Sequence, residues 1–272
     1  MARLALGCDL GATNLRAALV SEEGEIVASA REKLADREPG FVAGEIARMC
    51  GEVLTLARKS WDDVAGVGVG MAGQILGESG HVVVGPNLGW RDLDFGELVE
   101  KELGRSIRLV NDLSAAAWGE HRVGAAHAVN DALVVFLGSG IGAGLVLRGR
   151  LYEGASGLAG EIGHVKVRPG GRICGCGERG CLEAYAGGHN VTARLQEMIE
   201  EGKGQAVLEA AGGDPLRVGP QVLHLAAERD DPFALDFLEE MASLLGLVIG
   251  NAITLLNPRK LVLGGGMSNI GR

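Results

Sequence analysis

Four residues with metal-ligand chemistry fall within one short stretch: His164, Cys174, Cys176 and Cys181. Nine residues separate the first pair, one the second and four the third. Three thiolates and one imidazole are a complete tetrahedral set for zinc, and a set with no vacancy is structural rather than catalytic. Gly175, Gly177 and Gly180 give the loop the backbone freedom to turn its sulfurs to one point. Two carboxylates flank it, Glu161 before His164 and Glu183 after Cys181. Held beside a pinned loop, they are suited to gripping a polar ligand. The competing reading is a disulfide or scattered buried thiols. Cys8 and Cys50, the other two cysteines, lie in apolar stretches of core character. Met1 to Leu10 enters a short strand pattern with no cleavable hydrophobic segment, so the chain reads as cytoplasmic. Clustered cysteines in that compartment favour metal over cross-linking.

A second candidate is Asp112, at a predicted strand end and helix start, Val110-Asn111-Asp112-Leu113. As an N-cap it would be worth about 1 kcal/mol. A carboxylate there is also favoured as the anion by the helix dipole, which suits a base that accepts a hydroxyl proton. Capping and catalysis are compatible, and both readings stand. A third group is glycine-rich. Asp9-Leu-Gly11-Ala-Thr13-Asn14 follows a strand, Gly138-Ser139-Gly140-Ile-Gly142 repeats the device, and Gly264-Gly265-Gly266 follows a late strand. Successive backbone N–H groups in such turns can cradle an anion, and Asp9 could hold magnesium through water. The first turn alone is equally a plain hairpin. Three such strand ends in one chain point to a bound nucleotide. No Walker A sequence occurs, and strands rather than helices follow Gly11 and Gly142, against a dinucleotide fingerprint.

The elements that must position these residues are short strands and helices in alternation. Strands are predicted at 5–9, 15–20, 26–31, 64–71 and 107–110, with helices at 41–59, 95–103 and 112–123. The pattern then restarts with strands at 132–137 and 143–147 and another from Arg150, followed by helices at 191–200, 221–228 and 232–253 and a strand at 261–263. Strand, glycine turn, strand, turn, strand occurs twice, which predicts a duplicated fold with a cleft between its halves. The expected domains are 1–112 and 113–272, with the metal loop inserted in the second. Of 272 residues 47% are hydrophobic, enough for a sizeable core. A net charge of −9 with no dense basic run speaks against nucleic acid as a partner. The uncharged stretch 241–257 is too short and too polar to span a bilayer and is expected to be a buried helix, so no membrane partner is expected.

These motifs together resemble the ROK family of repressors, open reading frames and kinases, within the actin/hexokinase-like ATPases. The resemblance runs over nearly the whole chain. It is most specific in Gly160-Glu161-Ile-Gly-His164 and Cys174-x-Cys176-Gly-x-x-Gly-Cys181-x-Glu183. It implies an α/β, ribonuclease-H-like duplicated fold and an ATP-dependent sugar kinase using structural zinc and Mg²⁺ with ATP. Asp112 is then the base that takes the proton from the 6-hydroxyl. Gly73, Asn87, Asn111, Asp112, Glu161, His164 and Glu183 are the implied sugar contacts, with His164 also a zinc ligand. Asp9, Gly11, Thr13, Asn14, Gly138, Ser139, Gly140 and Gly142 are the implied phosphate contacts, and Gly264 to Gly266 face the adenosine. Members commonly form dimers or tetramers, so a homo-oligomer is implied.

The three-cysteine form is similar to the glucokinase, amino-sugar kinase and repressor branches. Only eight residues precede Asp9, where repressors carry a DNA-binding domain, so no DNA partner is expected. Glucose is the first expectation for the hexose. An N-acetylmannosamine or N-acetylglucosamine kinase is the alternative, and a non-catalytic sugar-binding protein is a further one. Two departures stand out. Many members have Gly-Gly-Thr-Lys in the first turn, where this chain has Gly11-Ala-Thr13-Asn14 with Arg16 nearby. Relatives also continue for some tens of residues beyond the equivalent of Arg272, including a long helix over the first half. Without it, apolar surface there and part of the adenosine pocket are expected to be open.

Overall fold

The computed structural model describes residues 3–77 and 79–270. Met1, Ala2, Glu78, Gly271 and Arg272, which the two expected domains include, lie outside the described residues. Backbone contacts divide the chain into two compact units, residues 1–130 with 144–159 and residues 131–143 with 160–272.

The first unit is built on a five-stranded sheet. Its strands are β1 (Leu4–Leu10), β2 (Asn14–Ser21), β3 (Ile26–Lys33), β4 (Val64–Met71) and, after three further strands, β8 (Ile107–Asn111), in the order β3-β2-β1-β4-β8. The pairs β1–β2 and β2–β3 are antiparallel, whereas β1–β4 and β4–β8 are parallel. Strict alternation in β1 buries Leu4, Leu6, Cys8 and Leu10. They share a core with Val42, Ile46, Met49, Cys50 and Val53 of α1 (Pro39–Ala57) and Phe95 and Val99 of α2 (Phe95–Leu103). Cys8 and Cys50 meet in this core with their sulfurs 3.6 Å apart.

Residues 74–93 carry no sequence-predicted element. They form a small antiparallel sheet of β5 (Gln74–Leu76), β6 (His81–Gly85) and β7 (Trp90–Leu93), in the order β5-β6-β7. Strands of three to five residues are too short for an alternating pattern to register. After β8 comes α3 (Asp112–Val123).

A second sheet has the order β11-β10-β9-β12, from β9 (Ala132–Leu137), β10 (Ile141–Leu147), β11 (Arg150–Leu151) and β12 (Lys260–Gly264). β12 runs parallel to β9, and β10 and β11 form an antiparallel hairpin through Arg148 and Gly149. The helices that follow are α4 (Glu183–Ala186), α5 (Gly188–Glu200), α6 (Gln205–Ala210), α7 (Pro220–Ala227) and α8 (Pro232–Leu256). Asp231 caps α8 by accepting from Ala234 N, with Pro232 in its first turn. The expectation of a buried helix over 241–257 is corrected. α8 buries one stripe, Ala234, Phe237, Met241 and Val248, and leaves Leu247, Ile253 and Leu255 exposed. Among the described residues no helix is long and apolar enough to cross a membrane.

One charged cluster ties the metal loop to these helices. Arg194 on α5 is buried, donates to the Tyr185 carbonyl at 2.6 Å, pairs with Glu240 on α8 and stacks over the Phe237 ring. Glu240 also pairs with Arg168 at 2.6 Å, and Arg168 lies over the Tyr185 ring. Burial alone would raise the Glu240 pKa, but Arg194 and Arg168 hold it below the usual carboxylate range. Removing one partner of a buried pair leaves an uncompensated charge. Glu240→Ala is therefore expected to lower stability by about 3 kcal/mol in urea unfolding at pH 7. A depressed folded-state pKa contributes stability above the unfolded value, and that contribution is lost as pH falls through the folded value. The gap between parent and variant should accordingly narrow below about pH 4.

Candidate functional site

The carboxyl ends of parallel strands are where open α/β sheets bind ligands. In the first unit Asp9 lies at that end of β1, Gly73 just beyond β4, and Asn111 and Asp112 at the end of β8. In the second unit Gly138 follows β9, and Gly264 to Gly266 close β12, again at the carboxyl ends of a parallel pair. The two predicted nucleotide turns of that unit meet. Met267 N donates to Leu137 O at 2.9 Å, and Gly265 has φ 93° where a Cβ would stand 2.3 Å from the same oxygen. Beside them is a cavity of about 390 Å³ lined by Leu137, Ala186, Leu235, Leu263 and Met267, among others.

The helix cap falls on Asn111 rather than Asp112. Asn111 Oδ1 accepts from Leu113 N at 2.9 Å and Ser114 N at 3.1 Å, and its Nδ2 donates to Gly73 O at 3.1 Å. Asn111 thereby joins the end of β8 to the turn after β4. Gly73 has φ 144°, and a Cβ there would lie 2.3 Å from Val84 O, so only glycine fits. Asn87 is exposed in the β6–β7 turn. Asp112 is the first residue of α3, half-buried, with Oδ1 accepting from Leu113 N at 2.9 Å. Burial pushes its carboxyl above the ordinary aspartate value. The Leu113 amide opposes that shift and the nearby Asp9 charge adds to it. The helix terminus is therefore not the dominant influence on this group that its position in the sequence suggests.

Asp9 faces Arg16 across the β1–β2 register, and the two pair at 3.0 Å. Gly11 N donates to Asn14 O at 2.9 Å, closing the first turn. Thr13 is exposed, and Asn14 Oδ1 accepts from Arg31 Nη2 at 3.2 Å. Asp9 and Arg16 also line a cavity of about 1050 Å³ over glycines and alanines of the first sheet. None of Gly73, Asn87, Asn111 and Asp112 lines it.

The metal-ligand residues converge. One donor atom each from His164, Cys174, Cys176 and Cys181 lies within 4.8 Å of every other. A hairpin brings them there: Leu182 N donates to Val165 O, Val167 N to Gly180 O, and Cys174 N to Glu178 O. Gly177 and Gly180 are left-handed, and a Cβ on Gly180 would lie 2.0 Å from Arg168 O. At Zn–S of about 2.3 Å and Zn–N of about 2.0 Å, a regular tetrahedron has S···S edges of ~3.8 Å and S···N edges of ~3.5 Å. Cys176 and Cys181 sulfurs are 3.8 Å apart, and Cys174 Sγ is 3.6 Å from His164 Nδ1. The donors thus fit zinc, with Nδ1 as the histidine ligand. His164 Nε2 is turned toward Glu161 Oε2, 3.8 Å away. Lys166 Nζ lies 3.2 Å from Cys181 Sγ and supplies positive charge beside the thiolates.

Glu183 Oε2 accepts from Ile141 N at 2.8 Å, which ties the far end of the loop to the Gly138–Gly142 turn. A Cβ on Gly140 would stand 2.4 Å from that oxygen. Sequence reasoning did not anticipate this bond, nor the role of Gly163, whose Cβ would lie 2.2 Å from Ile141 O. The signal for Gly163 was its place between Glu161 and His164. The Ile141 amide left no signal, because a backbone donor has no residue type.

The chain matches the ROK family over residues 5–272. It is similar to a glucokinase of Halalkalibacterium halodurans, 34% identical over 268 residues that cover 98% of this chain and 81% of that protein. Two solved structures share its fold. A ROK family glucokinase from Streptomyces griseus, in complex with glucose and AMPPNP, superposes with TM-score 0.80 at 31% identity, covering 98% of this chain and 85% of that one. A ROK hexokinase from Thermus thermophilus superposes with TM-score 0.84 at 28% identity, covering 98% and 84%.

Two outcomes follow from the geometry. In ¹³C NMR the Asp112 carboxyl is expected to titrate above the ordinary aspartate value of about 3.9. In Asp9→Asn its midpoint should fall, because a neighbouring negative charge is gone. Stripping metal with a chelator should lower the melting temperature and remove the near-ultraviolet signal of Tyr185. Structural zinc contributes on the order of 10–16 kcal/mol of binding free energy in small domains, so an unchanged melting curve would exclude a structural ion.

Proposed function

The chain belongs to the ROK family, and from that membership we propose that it is an ATP-dependent glucose kinase acting on the 6-hydroxyl. Its 34% identity to a glucokinase over 98% of the chain carries this reading. The strand orders β3-β2-β1-β4 and β11-β10-β9-β12, each with an antiparallel outer hairpin and a parallel pair, support the duplicated fold.

In the first unit Asp112 is assigned as general base. It accepts the proton of the sugar 6-hydroxyl as that oxygen attacks the γ-phosphorus, and the β–γ bridge oxygen leaves with ADP. A carboxyl pushed upward by burial has more affinity for that proton than a free one. Asn111, Gly73 and Asn87 are assigned to sugar hydroxyls, and the Asn111–Gly73 bond supports placing the first two together. Asp9, Gly11, Thr13 and Asn14 are assigned to phosphate. Mg²⁺ bound with ATP would supply charge neutralisation on the phosphates, with Asp9 as the carboxylate that would hold it through water.

In the second unit Glu161, His164 and Glu183 are assigned to the sugar. Gly138, Ser139, Gly140 and Gly142 are assigned to phosphate and Gly264 to Gly266 to adenosine. Zinc on His164, Cys174, Cys176 and Cys181 is structural in this reading, because four protein donors leave no open position.

Coupled ADP release with Mg-ATP should show turnover on glucose and a clear preference over N-acetylglucosamine, N-acetylmannosamine, mannose and fructose. Asp112→Asn should lower kcat by about 10²–10⁴-fold with the glucose KM little changed. Preference for an N-acetylated sugar would move the substrate assignment. Undiminished turnover in Asp112→Asn would reject the base.

A further inference from the structure

Both ends of the metal loop reach one residue, Ile141. On one side Gly163, next to the ligand His164, packs so closely that a Cβ would lie 2.2 Å from the Ile141 oxygen. On the other side Glu183, two residues after the ligand Cys181, accepts from the Ile141 N–H at 2.8 Å. The two ends are zipped to each other by Leu182 N to Val165 O at 2.9 Å. Two more bonds run from the segment after Glu183 to the same turn. Gly188 N donates to Gly138 O and His189 N to Ser139 O, both at 3.0 Å. Three of the four residues from Gly138 to Ile141 are therefore held by the loop or by the chain just beyond it, and Gly140 O accepts from Gly138 N within the turn. A Cβ on Gly140 would meet the Glu183 carboxylate, 2.4 Å from Oε2.

We propose that Glu183 is a positioning residue for the Gly138–Ile141 turn, through which closure of the metal loop sets the turn for the nucleotide phosphates. Closing the loop fixes Cys181, hence Leu182 and Glu183. The carboxylate then fixes the direction of the Ile141 N–H and with it the end of the turn. Cation occupancy is thereby coupled to nucleotide affinity as well as to the sugar carboxylates. The proposal rests on the assignment of this turn to phosphate, but the bond it invokes exists without any ligand.

The test uses the metal-loaded full chain and three variants. Amide hydrogen exchange is read at Ile141 without ligands, and the Kd for Mg-AMPPNP is measured by calorimetry without sugar. Glu183→Ala should speed exchange at Ile141 and raise the Kd by about tenfold, the typical worth of one hydrogen bond. Glu183→Gln, whose amide oxygen can accept the same bond, should stay near the parent in both readouts. Gly140→Ala should reproduce the alanine phenotype, because its methyl would occupy the space of Oε2, and it serves as the probe if Glu183→Ala does not fold. Chelated parent protein should exchange at Ile141 as fast as Glu183→Ala. Parent-like exchange in Glu183→Ala or in the chelated protein overturns the proposal. So does a glutamine variant as impaired as the alanine one, since a charge effect rather than a hydrogen bond would then be at work. Absence of sugar turnover alongside the predicted exchange pattern would reject the kinase assignment alone.

Discussion

The segment from Gly160 to His189 depends on one constraint: four soft donors must meet at a point. Three thiols and an imidazole bring their donor atoms within 4.8 Å of one another, and packing of Cys174 and Cys181 beside Ala184 and Tyr185 accounts for only two of the four. Burial pushes the Cys174 thiol up to about 12. As a thiolate it needs a compensating charge, which a dication bound by the four donors would supply, displacing the thiol protons. Once the point is fixed, the hairpin of the loop has its register, from Leu182–Val165 at the base to Cys174–Glu178 near the tip. Its outward contacts follow. Arg172 N donates to the Tyr185 hydroxyl at 2.8 Å, and the Arg168 and Arg194 guanidinium groups lie 5.0 and 5.6 Å from the Tyr185 ring centre.

The first unit solves a different problem, which is to hold a carboxylate where solvent is partly excluded. It divides the work between neighbours. Asn111 takes the capping role with both polar ends, since its oxygen serves two helix amides and its nitrogen reaches Gly73. Asp112 is left to experience burial, the backbone amides of Leu113 and of Asp112 itself, and the Asp9 charge. A cap is worth about 1 kcal/mol and a helix terminus 0.3–1 kcal/mol for an exposed anion. Desolvation is the larger influence here, because it acts on the whole carboxylate and outweighs the two backbone amides that oppose it.

Much of this was legible in the residues because both periodicity and ligand spacing are local. The strand predicted over 5–9 falls within β1, and the helix predicted over 41–59 from Val42, Ile46, Met49, Val53 and Leu56 is α1, with Leu56 exposed. The metal set was legible from residue type alone, since cysteine and histidine have few other reasons to cluster. Three things were not legible. The β5–β7 sheet is made of strands too short to alternate. The partition of capping between Asn111 and Asp112 depends on side-chain rotamers, for which both residue types are equally suited. The bond from Glu183 to Ile141 joins positions 42 residues apart through a backbone donor, which no pattern encodes.

The first turn shows how a sequence departure is absorbed. Asn14 stands where many ROK members have lysine, and on sequence grounds that removes a cation from the first turn. The structure puts Arg16 two residues on, directly across from Asp9, and Arg31 from β3 onto Asn14. The Asp9–Arg16 pair is half exposed on both sides, at 55%. Exposed pairs are worth no more than about 1 kcal/mol, so this one does not lock Asp9 or Arg16 away from a ligand. A guanidinium also presents a planar fork to a phosphate where an ammonium presents a point charge. Positive charge near Asp9 is thus retained on β2, in a weak and half-exposed pair.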